Sequence, residues 1–242
     1  ERIDKGASHK FKTVLVKSDK DFFEIDQAGA SGSKASHASS SKTSSKSSPI
    51  IIRGNSWVNI AVGVNWYLKH HAGIHIAWNN MMVKLPAVLP AVKQKERHET
   101  DLKLRYDFNY CTFSYSMAFW DWNRWQKEID WMALHGINMP LAIVGEECVW
   151  RNMLLKLGYT EEEVGKFIAG PAFLAWWEMN NLEGWGGPLP QNWYKQQEAL
   201  QKKILARMKE LGMKPVLPGY CGMMPHDAKQ KLGLNVTDGG MW

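Results

Sequence analysis

Hydrophobic positions along this chain follow two regimes that change near residue 100. Before it, apolar runs are short and bounded by turn residues. "DFFEID" (21–26) reads as a strand, and "PIIIRG" (49–54) reads as a second, followed by the turn residues Gly54 and Asn55. "SWVNIAVGVNWYLKHHAG" then sets Val58, Val62, Asn65 or Trp66 and Lys69 at helical spacing, with Ser56 as N-cap and Gly73 as the stop. "IHIAWN" (74–79) alternates as a strand, and the proline-punctuated "LPAVLPAVK" leads away from it. Residues 1–98 therefore read as a small α/β domain. Between its first two strands, residues 31–48, "SGSKASHASSSKTSSKSS", cannot bury apolar surface and are expected to form a flexible, overgrown hairpin connection.

From residue 101, apolar strand patterns alternate with long amphipathic helical ones, the signature of βα units on a parallel sheet. "LRYDFNYCTFSYS" (104–116) is read as the first strand region. Asp121 can cap a helix that puts Trp122, Trp125, Ile129 and Met132 on one face and stops at Gly136. "NMPLAIVG" is a nearly continuous apolar strand of the kind that burial on both faces produces, and "EECVWRNMLLKLG" follows it as a helix. Thr160 to Glu163, "TEEE", is a capping box, with Tyr159 and Val164 as its hydrophobic staple. Residues 191–211 carry Trp193, Leu200, Ile204, Met208 and Leu211 at helical period, and "KPVLPGYCG" reads as a third strand with Pro215 and Pro218 at its ends. Three βα steps leave a sheet edge open, so the remaining strands are expected elsewhere: in a continuation of the chain or in a partner.

Composition adds the chemistry. The chain has 242 residues and thirteen tryptophans, four of them (Trp120, Trp122, Trp125 and Trp131) within "SYSMAFWDWNRWQKEIDWMALHG". Trp122 and Trp125 are expected to pack their helix onto the sheet. Trp176, Trp177 and Trp185, in "AGPAFLAWWEMNNLEGWGGPLP" with no helical period, are candidates for a sugar-binding face, since flat aromatic rings beside fixed polar groups are what a sugar ring requires. The net charge of +6 comes from the first hundred residues, which hold fifteen Lys and Arg against eight Asp and Glu; the remainder holds fifteen against sixteen. No compact basic stripe interleaved with aromatics accompanies it, so no nucleic-acid partner is expected. No apolar run is long enough to span a membrane, and no membrane insertion is expected. Cys111, Cys148 and Cys221 have no metal-site spacing, and no metal or cofactor is expected. His70 and His71 are adjacent on one helix, unsuited to sharing a metal, and are assigned to the surface. Neither a Gly-x-Gly-x-x-Gly nor a P-loop follows any strand, which removes support for a nucleotide site. Asn235-Val236-Thr237 is an N-glycosylation sequon, meaningful on a eukaryotic secretory route.

The strings "NYCTFSYSMAFWDWNRWQKEIDWMALHGINMPLAIVGEECVW", "GPAFLAWWEMNNLEGWGGPLP" and "LGMKPVLPGYCGMMP" closely resemble the α-N-acetylglucosaminidase family of glycoside hydrolases, in the right order and from about residue 20 onwards. The resemblance implies an α/β fold: a small N-terminal domain, then over 99–242 the first strands and helices of an incomplete (β/α)8 barrel, with the rest of the barrel and a C-terminal helical domain still to come. It implies removal of terminal, non-reducing α-linked N-acetylglucosamine with retention of configuration, a glycan bearing that sugar as partner, and a lysosomal, secreted or periplasmic location. It places Asn109, Cys111, Tyr115, Glu147 and Trp176 around the sugar. Where the family commonly reads Gly-Gln-Glu-Ala, this chain has Gly145, Glu146, Glu147 and Cys148.

A retaining glycosidase needs two carboxylates roughly 5–5.5 Å apart. If Glu146 and Glu147 continue a strand, they point to opposite faces and cannot form that pair. The resemblance puts the catalytic glutamates on later strands, so no catalytic residue is expected within this stretch, and the chain alone is expected to be inactive. A non-catalytic carbohydrate-binding or structural module is the alternative reading.

Overall fold

The computed structural model describes residues 2–28 and 48–237; residues 31–47 of the Ser/Lys stretch lie outside them. In chain order the elements are β1 (Phe11–Leu15), β2 (Asp21–Gln27), β3 (Ile50–Gly54), α1 (Trp57–His70), β4 (Glu96–Thr100), β5 (Tyr106–Asp107), α2 (Tyr110–Tyr115), α3 (Trp122–Leu134), β6 (Met139–Pro140), α4 (Glu146–Lys156), α5 (Glu161–Phe167), α6 (Leu174–Glu178), α7 (Gln191–Glu210) and α8 (Ala228–Leu232). They divide into two compact units: 1–105 with 127–138 and 211–213, and 106–126 with 139–210 and 214–242.

The first unit is built on a four-stranded sheet in the order β1-β3-β2-β4. β3 runs parallel to β1 and antiparallel to β2, and β4 is antiparallel to β2. Ile25 and Ile52 are register partners at full burial and stand in one core with Tyr67 and Leu68 of α1. Ser56 caps α1 by accepting from the Asn59 N–H. The helix lies close on the sheet because residue 63 is glycine: a Cβ there would stand 2.7 Å from Ile52 Cγ2. The buried positions of α1 are Val58, Asn59, Ile60, Gly63, Tyr67 and Leu68; of the expected face Val58 is buried, Val62, Asn65 and Trp66 are half-buried and Lys69 is exposed.

Two sequence expectations fail in this unit. "IHIAWN" is irregular, with only a bridge from Ala77 to Asn80. Its alternation buries Ile76, but the Ile74 N–H goes to the Leu68 carbonyl at the end of α1 and not to a strand neighbour. The strand that completes the sheet is β4, "ERHET", whose period of two is carried by half-buried Glu96, His98 and Thr100 and so escapes a search for apolar residues. Of the two histidines assigned to the surface, His70 is exposed, whereas His71 is half-buried and meets Glu96 at 2.6 Å.

The second unit contains the parallel core of a barrel. Tyr106 and Asp107 pair with Met139 and Pro140, and Leu141 bridges in parallel to Val216. Leu141 N–H donates to Asp107 O, and Val216 N–H to Pro140 O at 2.9 Å, so three strand positions lie side by side in the same direction. Each strand is shorter than expected. The first ends at Asp107 because Phe108 takes φ +75° and Asn109 caps α2, accepting from the Thr112 N–H at 3.1 Å. Residues 110–115 are thus helical, where the alternation of aromatics suggested a strand. The third is reduced to Val216 between Pro215 and Pro218, neither of which has an N–H to donate. Asp121 accepts from Arg124 N–H at the start of α3, and the capping box of Thr160 and Glu163 forms at α5 as its sequence requires. Trp150, Leu154, Phe167, Trp177 and Tyr194 fill the core between the helices.

Candidate functional site

The three parallel positions all lead at their C-terminal ends into the segments richest in polar and aromatic groups: Asp107 into α2, Leu141 into α4 and Val216 into Tyr220 and Cys221. In strand–helix barrels this end carries the ligand site. Gly145 makes the second turn possible. It sits at φ +81° as the N-cap of α4, and its missing Cβ leaves the Gln197 carbonyl only 3.2 Å from where one would stand. Glu146 and Glu147 therefore open a helix and do not continue the strand, so the opposite-face argument does not apply to them.

Glu147 is 2% exposed and accepts a 2.7 Å hydrogen bond from Trp193 Nε1 on α7. A helix N-terminus favours an anion, yet burial outweighs the hydrogen bonds here and pushes the carboxyl up to about 7. Burial raises Glu146 as well. On α6, Glu178 is raised by burial and by the charges of Glu147 and Glu146; its Oε2 is shielded from solvent and makes no hydrogen bond among the described residues. Glu147 and Glu178 line one cavity of about 40 Å³, together with Phe113, Trp125, Trp193 and Gln197. Burial also raises the Tyr110 phenol, with Glu178 and Glu146 adding to the shift, so Tyr110 faces the same acidic group.

Of the sequence-selected residues, Glu147 lines this cavity, and Asn109, Cys111, Tyr115 and Trp176 are not part of its lining. Asn109 is exposed and spends its side-chain oxygen on capping α2, and Cys111 is a half-buried free thiol two residues on. Tyr115, 75% exposed, meets Trp176 edge to face with ring centroids 4.9 Å apart. Ser114 binds α2 to α6, accepting from Ala175 N–H at 3.1 Å. The loop tryptophans separate by role. Trp176 is half-buried beside Tyr115; Trp185 is exposed against Phe173; Trp177 is wholly buried between Trp150 and Phe167 and is core, not a sugar platform. Trp125 likewise packs against Phe108, Phe113 and Trp120. Tyr110, Glu178 and Trp193 escaped the sequence reading: Trp193 looked like one of a helical stripe, and nothing local marks Glu178.

Parallel strand–helix steps preceded by a small mixed sheet, with carboxyl and aromatic groups gathered at the C-terminal strand ends, define the opening part of a (β/α)8-barrel protein. Residues 1–91 match the family model described as the alpha-N-acetylglucosaminidase (NAGLU) N-terminal domain, and residues 105–242 match that of its tim-barrel domain. The chain belongs to the α-N-acetylglucosaminidase family. It is 45% identical to the human alpha-N-acetylglucosaminidase over 192 residues, which are 79% of this chain and 26% of that protein. It is also similar, at 36% identity, to a family 89 glycoside hydrolase from Clostridium perfringens. The structure of that enzyme with 2-acetamido-1,2-dideoxynojirmycin superposes with a TM-score of 0.84 over 96% of this chain and 25% of its own. Its structure with the substrate GlcNAc-alpha-1,4-galactose gives a TM-score of 0.83 over 96% and 24%. The chain spans about a quarter of the length of these relatives.

Proposed function

We propose that this chain is the N-terminal portion of an exo-glycosidase that removes terminal, non-reducing α-linked N-acetylglucosamine with retention of configuration. Its share of the work is binding. Asn109, Cys111, Tyr115 and Trp176 line one side of the sugar pocket, with Glu147 at its floor. The glutamate pair that carries acid and nucleophile roles lies on later strands of the barrel, and a C-terminal helical domain follows them. The domain boundary falls near residue 98, and the protein is lysosomal, secreted or periplasmic. Among the described residues no helix is long and apolar enough to cross a membrane.

The observation that carries this reading is the convergence of α2, α4 and α6 near the C-terminal ends of the parallel strands, where exposed Tyr115 meets half-buried Trp176 and Glu147 and Glu178 line one small cavity. A relative of similar fold has been crystallised with GlcNAc-alpha-1,4-galactose, which supplies the substrate class. The test is thermal unfolding of the chain with and without N-acetylglucosamine, together with release of nitrophenol from its α-linked aryl glycoside. The expected result is a raised midpoint with sugar and no turnover. Turnover by the chain alone would place the catalytic pair within it, and an unchanged midpoint at saturating sugar would remove the pocket.

A further inference from the structure

Glu147 and Glu178 reach the same small cavity from α4 and α6, and apolar side chains such as Phe113, Met117, Trp125 and Leu174 make up much of its remaining wall. Oε2 of Glu178 is an acceptor shielded from water that no donor meets among the described residues. Burying an ionised carboxylate in this way is far costlier than burying the neutral acid. The titratable groups facing the pair do not relieve it. α4 adds Glu146 and Cys148, α2 adds Tyr110, α7 adds Tyr194, and the segment after Val216 adds Cys221. Arg151 of α4 lies over the Tyr194 ring at 5.1 Å, while the charges acting on Glu178 are those of Glu147 and Glu146.

We infer that Glu178 and Glu147 share one proton across this cavity, and that Glu178 is the positioning residue that holds Glu147 against Trp193 beneath the sugar pocket. The assignment of the pocket rests on the function proposed above. Two carboxyl groups in one apolar site do not both ionise; the first to lose its proton makes the second harder to ionise. The cavity has room for a bridging water, so the pair need not touch. With the proton in place Glu178 becomes a donor, and Glu147 keeps the acceptor that Trp193 Nε1 occupies. When the proton leaves to solvent at higher pH, two like charges face each other without a counterion. Glu147 is then driven from its place and the sugar pocket loosens. Burial pushes both groups above the ordinary carboxylate range, in agreement with this arrangement.

Two measurements on the 242-residue chain test the proposal. The first is an infrared pH titration that follows the carbonyl stretch of a protonated carboxylic acid, a readout independent of sugar. The native chain is expected to keep such a band at pH about 6, where ordinary carboxyls are ionised, and Glu178→Gln is expected to diminish it. Glu147→Gln, an isostere at the other end of the pair, should also diminish it if the first variant does not fold. No band in the native chain, or an undiminished band in both variants, overturns the shared proton. The second is calorimetric titration with N-acetylglucosamine. Native affinity should fall about tenfold between pH about 5 and about 8, and Glu178→Gln should lose that dependence. The same fall in both proteins overturns the positioning role. Absence of sugar binding at every pH overturns the pocket assignment and leaves the infrared result to decide the proton.

Discussion

The glutamates of the N-terminal sheet and those of the barrel segment have the same side chain and opposite chemistry. Glu24 on β2 is met by Lys95 at 3.0 Å and Arg97 at 3.1 Å; burial alone would raise it, but the two cations outweigh burial and hold it low. Asp21 is treated alike by Arg105 and Asn55, and Glu96 by His98 and His71. At the mouth of the barrel segment, by contrast, Glu146, Glu147 and Glu178 are all shifted upward, because burial there is not outweighed by neighbouring cations. A fold under selection for stability alone pairs its charges or keeps them in water, so carboxyl groups shifted upward at a strand end are what the proposed sugar pocket would be built around.

The strongest test of this contrast separates packing from function within the barrel segment. Trp177→Ala should cost about 3–5 kcal/mol of stability in chemical denaturation, because the ring is wholly buried among Trp150 and Phe167. Trp176→Ala, one residue away and half-buried, should cost less than about 1 kcal/mol and abolish the sugar-dependent rise in midpoint. Equal losses in the two variants would erase the distinction between core and platform.

Opposite pH responses are the next test. Glu147 holds its proton more tightly when folded than when unfolded, so its contribution is full below the unfolded value near 4.5 and is lost as pH rises through about 7. Glu24, Asp21 and Glu96 are lowered on folding, so theirs is present above the ordinary carboxylate range and is lost as pH falls through their folded values. Hydrogen exchange resolved by peptide should find the barrel segment losing up to about 3 kcal/mol of protection between pH about 4.5 and about 7. Over the same range the sheet should hold or gain. Glu147→Gln should flatten the first profile and leave the second alone.

A smaller effect is expected from Glu24→Ala. It takes one carboxylate partner from Lys95, Arg53 and Arg97, while Arg53 keeps Asp26 and Arg97 keeps Glu99; these partners are between about a quarter and a half exposed, and solvent screening limits the cost to about 1 kcal/mol at neutral pH. Thermal denaturation at low and high salt measures it, and the cost should shrink as salt rises.

What could be read without coordinates was set by local rules. Ser56, Thr160 and Asn109 stand before helices because their side chains accept the N–H groups that a first turn leaves unpaired, although Asn109 was taken for part of a strand. Trp125, Ile129 and Met132 fall on one face because 3.6 residues make a turn, and all three are buried. β4 was missed because its inward positions are polar, and "IHIAWN" was misread because alternation says nothing of whether a neighbouring strand is available.

The sequence by itself determined the βα alternation after residue 100, the Ser56 and Thr160 caps, the family strings and the polar–aromatic richness that follows each barrel strand, since all of these depend on residues within a few positions of one another. Only the tertiary structure decided that Trp177 is core while Trp176 stands beside Tyr115, and that Glu178 and Glu147 line one cavity. Burial and charge pairing are properties of segments distant along the chain, and no local period records which of them will meet.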